Sequence, residues 1–357
     1  MRHLELFSGI GGFRRAMDLL TQDGVMPFEC VGFSEIDDKA IKTYKANFGD
    51  NPNEIEMGDI VSFVSDKQQV YNLPSFDLLT GGFPCQTFSM MGKQMGFKDE
   101  DRGQMFFRIL DVVDVKGPTY LLLENVKNLL THDNGNTYSR IERELTSRGY
   151  HVFPNVFNTV DFGLPQKRSR ILIFATKGST PKKFRENYTP EIVAREFKEN
   201  PGCSVALYDS TLDILKKNVD QKYYLSERIK PTILADGSAN FKSNSEINLK
   251  IARPLTASMH KMHRACQDNY YSQDWIDSDG LINPVNTCSK EELAGLSIRK
   301  LTPQEAFMLQ GFPEDFAEKA NKVGVPDGAL YKQAGNAVSV NVIYAVLRYL
   351  INHKAIK

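Results

Sequence analysis

Three short stretches of the chain carry residue types that could do chemistry together. The first is GGFPCQTFS, residues 81–89, where Cys85 sits between Pro84 and Gln86, just beyond the apolar run 76–80. A thiol that only fills a core needs no turn residues around it. A thiol in the loop beyond a strand end lies where α/β sheets place reactive groups. The second stretch is ENV, residues 124–126, in which Glu124 and Asn125 end the most apolar run of the chain. A carboxyl at such a strand mouth is partly desolvated, which favours its protonated form near neutral pH. A nucleophilic thiol and a proton-holding carboxyl make a workable pair for attack on an electron-poor ring. The third is QKRSR, residues 166–170, whose Arg168 and Arg170 meet the start of another apolar run. Taken by themselves, those two fit the ordinary solvation of a strand start. A thiol hydrolase would need a His partner for Cys85, and none of the six His lies in an evident motif.

A second group of residues describes a binding pocket. FSGIGG, residues 7–12, follows a strand-like run and precedes a helix-like one. Small residues there permit a tight turn and let a ligand approach backbone N–H groups at a helix N-terminus. The spacing of Gly9, Gly11 and Gly12 departs from the full dinucleotide fingerprint. Glu35 ends the second strand-like run, where an open α/β sheet places an acid against a ribose diol. Asp59, in GDI at 58–60, and Gly81–Gly82 fall on the same expected rim. Together they outline an adenosine-sized pocket at the carboxyl ends of strands. The chain contains no GxxxxGK run, which argues against ATP phosphate chemistry. His260, His263 and Cys266 are spaced i, i+3, i+6, with Cys288 beyond, but no second ligand pair at usual spacing completes a metal site. No metal is expected.

These groups need elements to position them. Strand-like runs at 4–7, 28–35, 76–81, 119–126 and 170–176 alternate with helical patterns at 12–21, after 35, at 104–115 and at 137–147. That alternation argues a layered α/β fold with a mostly parallel sheet. Near residue 179 the texture turns polar and irregular and stays so to about 298. Helical patterns return near 302–310 and from about 338 to 350. The expected organisation is a catalytic and cofactor-binding domain over 1–180, a smaller domain over 181–298, and a segment 299–357 that returns to the first.

Composition narrows the class. A hydrophobic fraction of 41% and a charged fraction of 25% suit a soluble globular protein. No uninterrupted apolar run approaches the roughly 18 residues of a membrane span, and five scattered cysteines form no disulfide framework. A cytoplasmic chain with no membrane association is expected. The net charge is zero, but its distribution is uneven: 16 Lys/Arg against 22 Asp/Glu in residues 1–160, and 28 against 22 in 161–357. A polyanion would therefore meet mainly the second half.

The ordered set FSGIGGFR (7–14), Glu35, GDI, GGFPCQTFS, ENV, QKRSRILI (166–173), LTPQEAFMLQGFP (301–313) and YKQAGNAV (331–338) resembles the DNA (cytosine-5) methyltransferases of bacteria and phages, across nearly the whole chain. The resemblance implies a Rossmann-like fold dependent on S-adenosyl-L-methionine, with residues 181–298 as the target-recognition domain. It implies that Phe7 lies against the adenine, Glu35 on the ribose hydroxyls and Asp59 near the adenine amino edge. Gly9, Gly11, Gly12, Ile60, Pro84 and Asn336 complete the implied cofactor set. Cys85 would add to C6 of a cytosine flipped out of double-stranded DNA. Glu124 would protonate N3, and Arg168, with Arg170 less directly, would orient the base and offset developing charge. Residues 86–102 resemble the family's closing loop, with Gly92, Gly96 and Gly103 as hinges, and RPLTASMHKMHR (253–264) would lie at the DNA interface. The resemblance also implies a monomer with a restriction endonuclease as functional partner, or an orphan methylase. Ala337 stands where the family often has Ser. RNA cytosine methylation is the nearest alternative; a non-catalytic DNA-binding regulator and a small-molecule methyltransferase are more distant ones.

Overall fold

Alternate residues of a strand face opposite sides of a sheet, so the covering helices can be read from where each strand's apolar residues go. The computed structural model describes residues 1–84, 105–238, 241–242 and 245–357. Its first half runs β1 (Arg2–Leu6), α1 (Gly12–Gln22), β2 (Glu29–Ser34), α2 (Asp38–Phe48), β3 (Ile55–Glu56), α3 (Ile60–Ser65), α4 (Lys67–Asn72), β4 (Leu78–Gly82), α5 (Met105–Lys116), β5 (Tyr120–Val126), α6 (Asn136–Ser147), β6 (His151–Asn158) and β7 (Ser169–Thr176). These seven strands form one sheet in the order β3-β2-β1-β4-β5-β7-β6. The first five run parallel, whereas β7 is antiparallel to both β5 and β6.

That reversal has a functional consequence. An antiparallel strand brings its beginning to the edge where its parallel neighbours end. Arg170, near the start of β7, is therefore in register with Val126 at the end of β5, while Glu124 sits between Gly82 of β4 and Leu172 of β7. Three segments far apart in the chain converge on one rim.

The strands are apolar on both faces, as buried parallel strands should be. Leu121 and Leu123 of β5 pack with α3, α5 and α6, while Leu122 packs on the opposite face with α1 and the C-terminal helices. The second half comprises α7 (Lys182–Asn187), α8 (Pro190–Glu199), α9 (Lys230–Leu234), β8 (Gly237–Ser238), β9 (Phe241–Lys242), β10 (Tyr270–Ser272), α10 (Gln273–Asp277), α11 (Lys290–Gly295), β11 (Ile298–Lys300), α12 (Pro303–Met308), α13 (Phe316–Lys322), α14 (Asp327–Asn336) and α15 (Val340–Asn352). Phe184, Val193 and Phe197, on α7 and α8, belong to the same apolar cluster as α1 and α15. A separate small core of Leu225, Ile233, Ile247, Tyr270, Leu293 and Ile298 lies beyond them. A wholly buried ion pair, Arg299 to Glu305 at 2.8 Å, fixes the return from β11 into α12. Residues Asp327–Asn352 are long and apolar enough to cross a membrane by composition, but 83% of their most apolar window is buried, so they serve as core.

Under α1 the sheet carries an uncommon group. Glu5 is wholly buried, with only the backbone N–H groups of Phe13 and Arg14, at the start of α1, turned toward its carboxyl among the described residues. Burial pushes its carboxyl up to about 8, outweighing the pull of the Arg14 charge. Because the folded value lies above the unfolded one, the stabilisation is complete below the ordinary carboxylate range. It is lost as pH rises toward 8. Wild-type protein should therefore show a lower urea midpoint at pH 8.5 than at pH 5.5, and Glu5→Gln should shrink that difference. A difference of the same size in both proteins would contradict this account.

Candidate active site

β1 ends at Leu6 and the chain turns at once. Phe7, Gly9 and Gly11 have φ of 54°, 55° and 81°, a region that costs a bulky residue such as Phe about 1–3 kcal/mol. The turn is held by Ser8 N–H donating to the Ser34 carbonyl and Gly11 N–H to the Ser8 carbonyl, each at 2.9 Å. The glycines serve different purposes. A Cβ on Gly9 would meet nothing within 4 Å, so its backbone conformation alone demands glycine. A Cβ on Gly11 would lie 2.3 Å from the Phe48 ring, and one on Gly12 would lie 2.5 Å from Val338, so both permit close packing behind the loop.

Glu35 fastens this loop to the next. Its carboxylate accepts the N–H groups of Gly9 at 2.8 Å, Ile36 at 2.8 Å and Asp37 at 2.9 Å. Three bonds leave about one of its four acceptor positions free. Around it lies a cavity of about 670 Å³, of the size that holds a small molecule or cofactor. One end is formed by Phe7, Ser8, Gly9, Glu35 and Ile36, and another by Gly82, Phe83, Pro84, Glu124, Asn125, Arg168 and Arg170. The end of α14 and the turn after it, including Gln333, Asn336 and Val338, close the wall. Three buried polar atoms of the lining have no partner among the described residues: Ser8 Oγ, Arg168 Nε and Gln333 Nε2.

The second end has the electrostatics of an acid. Arg170 Nε is 3.1 Å from Glu124 Oε1. Burial nevertheless raises Glu124 above the ordinary carboxylate range, more than the charges of Arg170 and Arg168 lower it. Asn125 is buried and donates from Nδ2 to the Phe83 carbonyl at 2.8 Å. It thereby fixes the chain two residues before Cys85. Arg168 is 2% exposed, and its guanidinium donates to the carbonyls of Leu255 (3.0 Å), Gly335 (3.1 Å) and Ala337 (2.9 Å). Burial and the nearby Arg170 push its pKa down to about 9, against the pull of Glu124.

The model of the C-5 cytosine-specific DNA methylase family matches residues 1–352. The chain belongs to this family. Among its relatives are the type II methyltransferase M1.ScrFI of Lactococcus lactis subsp. cremoris, 36% identical over 98% of this chain and 77% of the relative, and M.SsoII of Shigella sonnei, 35% identical over 98% and 80%. Among solved structures, the S. pombe Dnmt2 methyltransferase shares the fold with a TM-score of 0.73 at 22% identity, covering 99% of this chain and 98% of that one. The sheet is thus the Rossmann-like, mostly parallel sheet of S-adenosylmethionine-dependent methyltransferases.

Within this methylase, the cavity brings together Phe7, Gly9, Gly12, Glu35, Pro84, Glu124, Arg168, Arg170 and Asn336 from the sequence-derived set. Gly11 lies behind the loop. Asp59 and Ile60 are not in the lining: Asp59 caps α3 by accepting from Val61 and Ser62, and Ile60 is buried in the core. Cys85 and the loop 86–102, with Gly103, lie outside the described residues. The two arginines differ in their contacts: Arg170 faces Glu124, whereas Arg168 gives three N–H groups to backbone carbonyls while also lining the cavity. The His260 Nδ1 pairs with the Ala257 carbonyl and the His263 Nδ1 with the Tyr270 hydroxyl. Sequence reasoning missed Ile36, Asp37, Lys332 and Gln333 on the lining. Ile36 adjoins Glu35, and YKQ directly precedes AGN, so adjacency was the available signal.

Proposed function

We propose that this methylase transfers a methyl group from S-adenosyl-L-methionine to C5 of a flipped cytosine within a specific sequence of double-stranded DNA, through a covalent bond from Cys85 to C6. The observation that carries this reading is the convergence of Glu124, Arg170 and the Asn125-held approach to Cys85 on one end of a cavity. Its other end is built for a nucleoside and an amino acid. Phe7 and Ile36, the latter 72% exposed, offer apolar surface for an adenine. Glu35 has an acceptor position for a ribose hydroxyl, and Ser8, Gln333 and Asn336 supply polar groups for the remainder. The bound cofactor would supply an electrophilic methyl group on sulfonium.

The chain's own residues do the rest. The Cys85 thiolate adds to C6, and Glu124, whose raised pKa favours the acid form, gives its proton to N3 as the ring accepts the electron pair. C5 then carries the nucleophilic electron pair that takes the methyl group. Transfer of the C5 proton to water and expulsion of the Cys85 thiolate restore the aromatic ring, and Glu124 recovers its proton from N3. Arg170 holds Glu124 and faces the developing charge. Arg168 acts one step back, holding the recognition segment at Leu255 and the Gly335–Ala337 turn against the cavity. Residues 181–298 form the DNA-reading region in this proposal, with α7 and α8 anchoring it to the sheet. Asp59 and Ile60 retain the cofactor role implied by the resemblance only if the cofactor reaches past the cavity's lining. The expected setting is a cytoplasmic monomer, with a cognate restriction endonuclease as functional partner.

Bisulfite sequencing of diverse duplex DNA exposed to protein and S-adenosylmethionine tests the reading. Protected cytosines should share one sequence context, and tRNA should acquire no methyl group. Methylation of tRNA with none of DNA would favour the RNA alternative.

A further inference from the structure

Two walls of the cavity are tied at its rim by groups that the sequence separates by nearly 300 positions. Lys332, on α14, donates to Asp37 Oδ2 at 2.7 Å. Both side chains line the cavity and remain partly solvent-exposed, at 48% and 30%. Asp37 belongs to the wall that carries Glu35: its N–H donates to Glu35 Oε1, and its Oδ1 accepts from Lys39 N–H at the start of α2. Lys332 lies one helical turn before Asn336 on the opposite wall. Deeper in, the Thr43 hydroxyl of α2 donates to Gln333 Oε1 at 2.9 Å and is buried. The inner link is shielded, and the outer one is open to water.

The two partners differ in freedom. Asp37 is fixed by its helix cap and its bond to Glu35, whereas Lys332 has a long, flexible stem. Breaking the ion pair therefore requires movement of Lys332 alone. An exposed pair contributes little, typically up to about 1 kcal/mol, so it can open and close readily while still biasing traffic through the rim.

We propose that Lys332 and Asp37 form an electrostatic clasp on the mouth of the cofactor cavity and slow cofactor release. The proposal rests on the reading of this cavity as the S-adenosylmethionine site. Asp37→Asn removes the charge but keeps a side chain that caps helices equally well, and Lys332→Met keeps most of the apolar stem. Tritium-labelled S-adenosylmethionine, chased with excess unlabelled cofactor and read by rapid filtration, gives the release rate. At low salt each variant should release cofactor roughly two- to fivefold faster than wild type. The double variant should be no faster than either single one, since both remove the same interaction. Raising the salt should speed release from wild type and leave Lys332→Met unchanged. Equal low-salt rates in wild type and variants, or single effects that multiply in the double variant, would overturn the clasp alone. If calorimetry with S-adenosylhomocysteine and the labelled cofactor both showed no saturable binding to wild type, the cavity reading would fall, and the clasp with it.

Discussion

Glu124→Gln should slow methyl transfer by roughly 10²–10⁴-fold, the range that general-acid groups contribute, with a much smaller change in cofactor affinity. Gln keeps the size and can still receive the Arg170 N–H, so packing at the rim survives, but it has no acidic proton to give N3. The pH profile separates loss of the acid from loss of shape. Burial raises the Glu124 pKa despite the arginines beside it, so the protonated, working form persists above the ordinary carboxylate range. It is depleted as pH rises through the folded pKa. Wild-type single-turnover rates should carry that descending contribution, and Glu124→Gln rates should lack it. Unchanged turnover in the variant would remove Glu124 from the mechanism.

Cys85→Ala should abolish detectable methyl transfer and leave cofactor binding nearly intact. Cys85 follows directly on a segment held in place: the Phe83 carbonyl accepts from buried Asn125, and Pro84, whose ring fixes its φ, lines the cavity beside Glu124. No other cysteine is close in sequence to this rim. Phe7, Ser8, Glu35, Ile36, Gln333 and Asn336, proposed to hold most of the cofactor, lie on the other walls, so calorimetry with S-adenosylhomocysteine should give similar affinities for wild type and variant. Measurable methyl incorporation by Cys85→Ala would show that the thiol is not the nucleophile.

What could be read from the chain follows from how local each cause is. β5 was evident because Tyr120 to Leu123 are buried on both faces and leave an unbroken apolar run. The two-residue β3 has no run to read and exists only through pairing with β2. The helices α7 and α8 were lost in a polar texture, although Phe184, Val193 and Phe197 secure them to the sheet. At the site, the glycine turn, Glu35 and Glu124 announce themselves by residue type at strand ends. The division between Arg168 and Arg170 does not, because it depends on the register Val126 to Arg170 and on three carbonyls from distant segments. Asp59 shows the opposite difficulty: an acid before a helix reads equally well as a ligand or as a cap, and its bonds to Val61 and Ser62 are those of a cap. The pairing of Lys332 with Asp37 is purely tertiary and leaves no local trace.

The proposed reaction passes through a covalent bond between Cys85 and a cytosine ring. Fluorine at C5 cannot leave as a proton does, so duplex DNA carrying 5-fluorocytosine should arrest the enzyme after methyl transfer. Wild-type protein incubated with such DNA and S-adenosylmethionine should yield a denaturant-resistant protein–DNA adduct, and Cys85→Ala should yield none. An adduct formed equally well by Cys85→Ala would contradict the account.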